Sequence, residues 1–198
     1  MNGWWLVVAG VGLVIAWLSV VEARRPAISA AESRVFHAVN GLPDGLYPVL
    51  WLPMQLGNLV VGTVAGWVVA LVDRDLTVAV GVTVAMALKL VTERIVRREM
   101  ADYLAVRQRP GTSQVGAVLR GDVPASGPSF PSGHVILVAA VGTVVAPNIP
   151  STWWWLPALA TLLVVIGRVY VGAHNPLDVT AGLGAGLVLG GVVAALVG

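Results

Sequence analysis

Two stretches of this chain combine residue types that handle anions and protons. In "GRVYVGAHNPLD", Gly167 to Asp178, an arginine, a histidine and an aspartate follow one another at intervals of six and four residues. Asp178 falls in the first turn of a helix that Pro176 opens and Asn175 caps. A side chain at that position reaches back to the residues before the helix. The expectation is that the Asp178 carboxylate accepts the imidazole N–H of His174, leaving the other ring nitrogen as a nucleophile. The plain alternative is an N-terminal acid beside a loop histidine. Against it stands Arg168, at the border of an apolar helix. A charge at a helix centre costs about 2.5–3.5 kcal/mol, less near the interface, unless an anion or a carboxylate receives it.

The second stretch is "PSFPSGHV", Pro128 to Val135, which leads into a long uncharged run. Pro131 and Ser132 open that helix, so the Ser132 hydroxyl and the backbone N–H groups of Gly133 and His134 sit at a helix N-terminus, an arrangement suited to an anion. His134 in the first turn is placed to give or take a proton. An ordinary serine cap followed by an interfacial histidine is the competing reading. The chain has no cysteine, which excludes disulfides, thiolate nucleophiles and Cys-ligated metals. The remaining histidine, His37, has no partner motif and reads as part of an interfacial loop or short helix.

The elements that must position these residues are membrane spans. Of the 198 residues, 57% are hydrophobic and only 11% charged, too few charges for a water-soluble surface. The net charge of +2 and pI near 9.5 would invite a nucleic-acid partner, but no basic soluble face is available to bind one. Runs of about 20 apolar residues predict an all-α bundle of six transmembrane helices in a single domain, near 3–21, 46–72, 76–92, 132–146, 153–168 and 176–198. The first run lacks basic residues before it and is too long for a signal-peptide core, so it reads as a retained helix. "PNIPST", Pro147 to Thr152, breaks what would otherwise be one fused span. Alternation of the six puts all the Lys and Arg residues except Arg74, and all three histidines, on or next to one face. The glycines of the last span, Gly182, Gly184, Gly186 and Gly190, read as close-packing positions. Trp4, Trp5 and Trp153 to Trp155 read as interfacial anchors.

Together, "RQRP" (Arg107 to Pro110), "PSGH" (Pro131 to His134) and the Arg168–His174–Asp178 pattern resemble the three signature motifs of the type 2 phosphatidic acid phosphatases, the lipid phosphatase and vanadium haloperoxidase superfamily. The resemblance runs from about the third span to the end, with the motifs in order. It implies a metal-independent phosphatase acting on a lipid phosphate or diphosphate in a bacterial plasma membrane, without cofactors, with membrane lipids as its surroundings. It implies His174 as the nucleophile, Asp178 as its orienting carboxylate and His134 as the general acid. Arg109, Arg168, Ser132 and the Gly133 amide would hold the phosphoryl oxygens. Two departures stand out. Gly167 takes the place of a usual serine, and Asp102 stands where a lysine seven residues before Arg109 is usual. Arg98, about three helical turns before Arg109, is the chosen substitute; Lys89 is the alternative if the intervening stretch is an insertion. A non-catalytic lipid-phosphate binding or transport protein is the competing functional class.

Overall fold

The structure, a computed structural model, describes residues 3–25, 27–99 and 107–197. Nine α-helices lie in these residues: α1 (Gly3–Ala23), α2 (Ala30–Asn40), α3 (Tyr47–Met54), α4 (Leu59–Asp73), α5 (Leu76–Glu99), α6 (Pro110–Ser113), α7 (Gly133–Val145), α8 (Trp155–Tyr170) and α9 (Pro176–Val197). Helix α7 is apolar around its whole circumference, and Val135 to Val141 are buried without interruption. Such a helix belongs at the centre of a bundle. It packs against α9, α5, α8 and α4. The outward faces of the surrounding helices carry Leu13, Trp17, Leu71 and Leu196, all more than half exposed, a surface that only lipid covers favourably. The chain is an integral, multi-pass membrane protein.

Four helical segments are long and apolar enough to cross a bilayer: Gly3–Ala23, Leu76–Glu99, Ser151–Tyr170 and Pro176–Val197. The expected second span, 46–72, is a broken pair instead. Asp44–Gly57 and Leu59–Asp73 meet at 73°, because Asn58 leaves helical geometry and its side chain caps α4, accepting from Val60 N at 3.0 Å. Counting the pair as one span makes five. The expected fourth span, 132–146, corresponds to the apolar segment Gly133–Asn148, which reaches about 24 Å at 1.5 Å per residue, short of a hydrocarbon core of about 30 Å. A buried central helix tolerates this because its neighbours, not lipid, cover it. The third span is longer than expected, continuing past Thr92 to Glu99.

Helix α9 is clamped between α1 and α7 through its glycines. A β-carbon at Gly184 would lie 2.5 Å from Ala16 N of α1, and one at Gly186 would lie 2.6 Å from Ala139 Cβ of α7, so both positions hold the backbones in contact. Trp153, Trp154 and Trp155 are half-exposed, as interfacial anchors are. Trp5 is not an anchor: it is buried against Ala194 and Ala195 at the α1–α9 seam.

Candidate active site

The stretch before α7 and the turn before α9 meet at one end of the bundle. Ser132 N donates to Asp178 O at 2.9 Å, tying the start of α7 to the first turn of α9. Beside this joint lies a cavity of about 350 Å³ whose wall includes Lys89, Glu93, Arg97, Arg109, Gly133, His134, Arg168 and His174. Residues far apart in sequence thus bring two imidazoles and four cations to one volume. The break between α3 and α4 completes the wall with Gly57, Asn58 and Leu59. Gly57 is required there, since a β-carbon would lie 2.7 Å from His134 Cβ.

His174 is 5% exposed, and its Nδ1 lies 2.9 Å from Ser129 O. A carbonyl only accepts, so Nδ1 carries the proton and Nε2 keeps its lone pair. This corrects the expected His174–Asp178 hydrogen bond. Asp178 Oδ2 is 4.0 Å from Nδ1 and instead accepts from Asn175 N at 2.8 Å. The carboxylate does reach back before the helix, but to the backbone, and it faces the imidazole at 4.0 Å without a hydrogen bond to it. Burial foremost, then the positive Arg168 and Arg109 and the neighbouring His134, hold His174 well below the ordinary histidine pKa, against the opposing bond to Ser129. The unfolded chain therefore binds this proton more tightly. His174 contributes stability above pH 6.5 that is lost as pH falls through its folded pKa. In the ligand-free protein, NMR titration of labelled His174 is expected to show a neutral ring at pH 6.5; a midpoint at or above that value would contradict the assigned environment.

Asp178 is fully buried and held by Arg107, which is 3% exposed. Arg107 Nη2 donates to Asp178 Oδ1 at 2.8 Å, while Nη1 and Nη2 fork onto Glu32 at 2.9 and 2.6 Å. Burial alone would lower the Arg107 pKa, but the hydrogen bonds and charges of Glu32 and Asp178 raise it above the ordinary arginine value. Glu32 Oε1 also accepts from Leu177 N at 3.0 Å, so α2 is pinned to the start of α9. Arg107→Met leaves two buried carboxylates without their cation, a loss on the order of 3–5 kcal/mol. A fall in thermal stability in detergent is expected for this variant and none for Arg98→Ala; equal melting temperatures for the two would contradict the pairing.

Arg109 caps the short helix α6, which Pro110 opens, and its Nη1 donates to Ala173 O at 3.1 Å. Burial, then the nearby Arg97, lowers its pKa, and Asp178 partly opposes this. Asn175 holds α6 in place: its Oδ1 accepts from Gln114 Nε2 at 2.8 Å and its Nδ2 donates to Gln108 O and Ser113 Oγ, each at 3.2 Å. Arg168, in the last turn of α8, lines the cavity with its Nε buried and without a hydrogen-bond partner among the described residues. Ser132 is fully buried, and its hydroxyl also lacks a partner among them.

Arg98 does not line the cavity; it is exposed on α5. The described part of α5 ends at Glu99, and residues 100–106, across which the expected helical repeat would run, lie outside the described residues. Lys89, the alternative, is 8% exposed and on the cavity wall. Asp102 lies outside the described residues. Gly167 is accounted for by packing: a β-carbon there would lie 2.5 Å from Met54 Cγ, so a serine would force the Met54 side chain to shift. His37 is exposed on α2, its ring edge-on to Phe36, and is not part of the cavity wall.

Glu32, Ser129 and Gln114 escaped the sequence reading. "SAAE", Ser29 to Glu32, does carry a helix-start signature, and Ser29 Oγ accepts from Glu32 N at 3.2 Å. The Glu32 carboxylate, however, turns to an arginine 75 residues away, which no local pattern announces.

A helical membrane bundle with two imidazoles at one end, beside four cations and a single glutamate, defines a class of integral membrane proteins with a site suited to an oxyanion. Residues 75–198 match the profile of the PAP2 superfamily, and the chain belongs to that family. It is 32% identical over 103 residues to an undecaprenyl-diphosphatase of Sulfolobus acidocaldarius, covering 52% of this chain and 48% of that protein. It is 28% identical over 120 residues to a decaprenylphosphoryl-5-phosphoribose phosphatase of Mycobacterium tuberculosis, covering 60% and 58%. The chain thus spans about half the length of the curated relatives it matches. Among solved structures, a PAP2-type phosphatidylglycerolphosphate phosphatase from Bacillus subtilis superposes with TM-score 0.71 at 22% identity, covering 95% of this chain and 94% of that one. Aquifex aeolicus LpxE also gives 0.71, at 20% identity, covering 86% and 98%. These two share the fold.

Proposed function

We propose that the chain is a metal-independent phosphatase that removes a terminal phosphate from a membrane lipid phosphate or diphosphate through a phosphohistidine. The observation that carries this reading is the convergence of Lys89, Arg109 and Arg168 on the same cavity as His174 and His134, with Arg168 Nε buried and without a partner among the described residues. Buried cationic groups without full compensation are costly, and a phosphoryl group supplies what they lack.

In the proposed first step, His174 Nε2 attacks phosphorus while its Nδ1–H stays on the Ser129 carbonyl. The positive charge that develops on the ring is offset by Asp178 nearby. The bond from phosphorus to the lipid oxygen, or to the inner phosphate of a diphosphate, breaks, and His134 protonates the departing oxygen. Arg109, Arg168, Lys89, Ser132 and the Gly133 amide hold the phosphoryl oxygens as their charge grows. In the second step, water attacks the phosphohistidine, His134 takes the water proton, and inorganic phosphate leaves. The proposal includes six crossings, with the α3–α4 pair as the second and the short α7 as the fourth.

Two relatives with polyprenyl phosphates in their names favour a polyprenyl tail over a diacylglycerol one. A phosphate-release panel over polyprenyl diphosphate, polyprenyl sugar phosphate, phosphatidylglycerol phosphate and phosphatidate tests the proposal, with and without chelator. Release from a polyprenyl substrate, unaffected by chelator and absent in His174→Ala, is expected. Vanadate binding without any release would favour a lipid-phosphate binding protein instead.

A further inference from the structure

One carboxylate stands among the cations of the cavity. Lys89, Glu93 and Arg97 follow each other at one-turn intervals on α5, and all three reach the cavity wall. Glu93 Oε2 pairs with Lys89 Nζ at 2.9 Å, the two side chains being 16% and 10% exposed. Its other oxygen, Oε1, lies so close over Gly133 that a β-carbon on that residue would collide with it. Gly133 is the first residue of α7, where the helix dipole favours negative charge. The cap residue Ser132 makes no side-chain capping bond there and its hydroxyl is buried without a partner among the described residues. The Glu93 carboxylate thus pairs with Lys89 and lies against the first residue of α7, next to two of the groups to which phosphoryl binding is assigned above.

We propose that Glu93 is a resident competitor for the phosphoryl position: its carboxylate holds the place of the substrate oxyanion and must leave for phosphate to bind. The inference rests on the assignment of this cavity as a phosphoryl site. Arg97 stands one turn further along α5, exposed and on the same wall, and is placed to receive the displaced carboxylate, since residues four apart face each other on a helix. After turnover the same carboxylate returns and favours release of inorganic phosphate. A site occupied by its own side chain binds ligand more weakly by the fraction of time it is free, so a carboxylate present nine-tenths of the time weakens affinity about tenfold.

Glu93→Gln keeps the shape and removes the competing charge. Inhibition constants for inorganic phosphate and for vanadate, measured on the detergent-purified full chain, are expected to fall about tenfold in this variant relative to wild type. Were Glu93 merely the group that anchors Lys89, the same change would free the lysine and both constants would rise. Constants that rise or stay level, in a variant that melts like wild type, overturn the proposal. Glu93→Asp retains a charge able to pair with Lys89 but is one methylene shorter and withdraws from Gly133. It carries the same expectation at smaller size, so misfolding of the glutamine variant does not end the test. A wild type that binds neither anion and releases no phosphate sinks the phosphoryl-site assignment itself, and this inference with it.

Discussion

His174→Ala is expected to lose phosphate release by about 10⁴-fold or more, the scale on which removal of an enzymatic nucleophile registers. The expectation follows from how the ring is held. Its Nδ1 is committed to Ser129 O, so one nitrogen is directed away from that bond with its lone pair intact. The ring is almost wholly buried, and its depressed pKa keeps it unprotonated in neutral solution. No other described histidine has this combination: His134 is half-buried and His37 is exposed. The loss should therefore appear in kcat for every lipid that serves as substrate, whatever its tail. Residual turnover within about tenfold of wild type would mean that another group attacks phosphorus.

His134→Ala is expected to lose about 10²–10⁴-fold, the usual worth of a general acid or base, and the loss should depend on the leaving group. A lipid alkoxide leaves poorly without a proton; a nitrophenolate leaves without one. On an aryl phosphate the first step should be nearly spared, while the second, in which His134 takes the water proton, remains slow. The variant should then show a burst of nitrophenol followed by slow turnover. Equal losses on lipid and aryl substrates, with no burst, would place His134 in binding instead of proton transfer.

Much of this was legible in the sequence because it rests on local rules. The helix start at Ser132, the cap and proline before α9, and the small residues of the last span each follow from spacing within one element. The ends of α8 and α9 that bear Arg168 and Asp178 were legible for the same reason. What escaped depended on contacts between elements. Asp178 was expected to orient His174 because a side chain in the first helical turn reaches back before the helix, but Arg107 draws the carboxylate aside, and the Ser129 carbonyl from another segment takes its place. Glu32 could not be foreseen, because its partner approaches from another part of the fold. The preference for Arg98 over Lys89 assumed one unbroken helical phase up to Arg109. The Lys89–Glu93–Arg97 stripe on α5 turns instead to the cavity, and Arg98 lies off it. The break at Asn58 was hidden by continuous apolar composition on either side, although asparagine is a strong cap.

Rapid mixing with an aryl phosphate, alkaline quench and peptide mass spectrometry test the central claim most directly. A phosphoryl group on His174 is predicted, more abundant in His134→Ala than in wild type and absent from His174→Ala. Phosphate released steadily with no labelled histidine, or with the label on another residue, would contradict it.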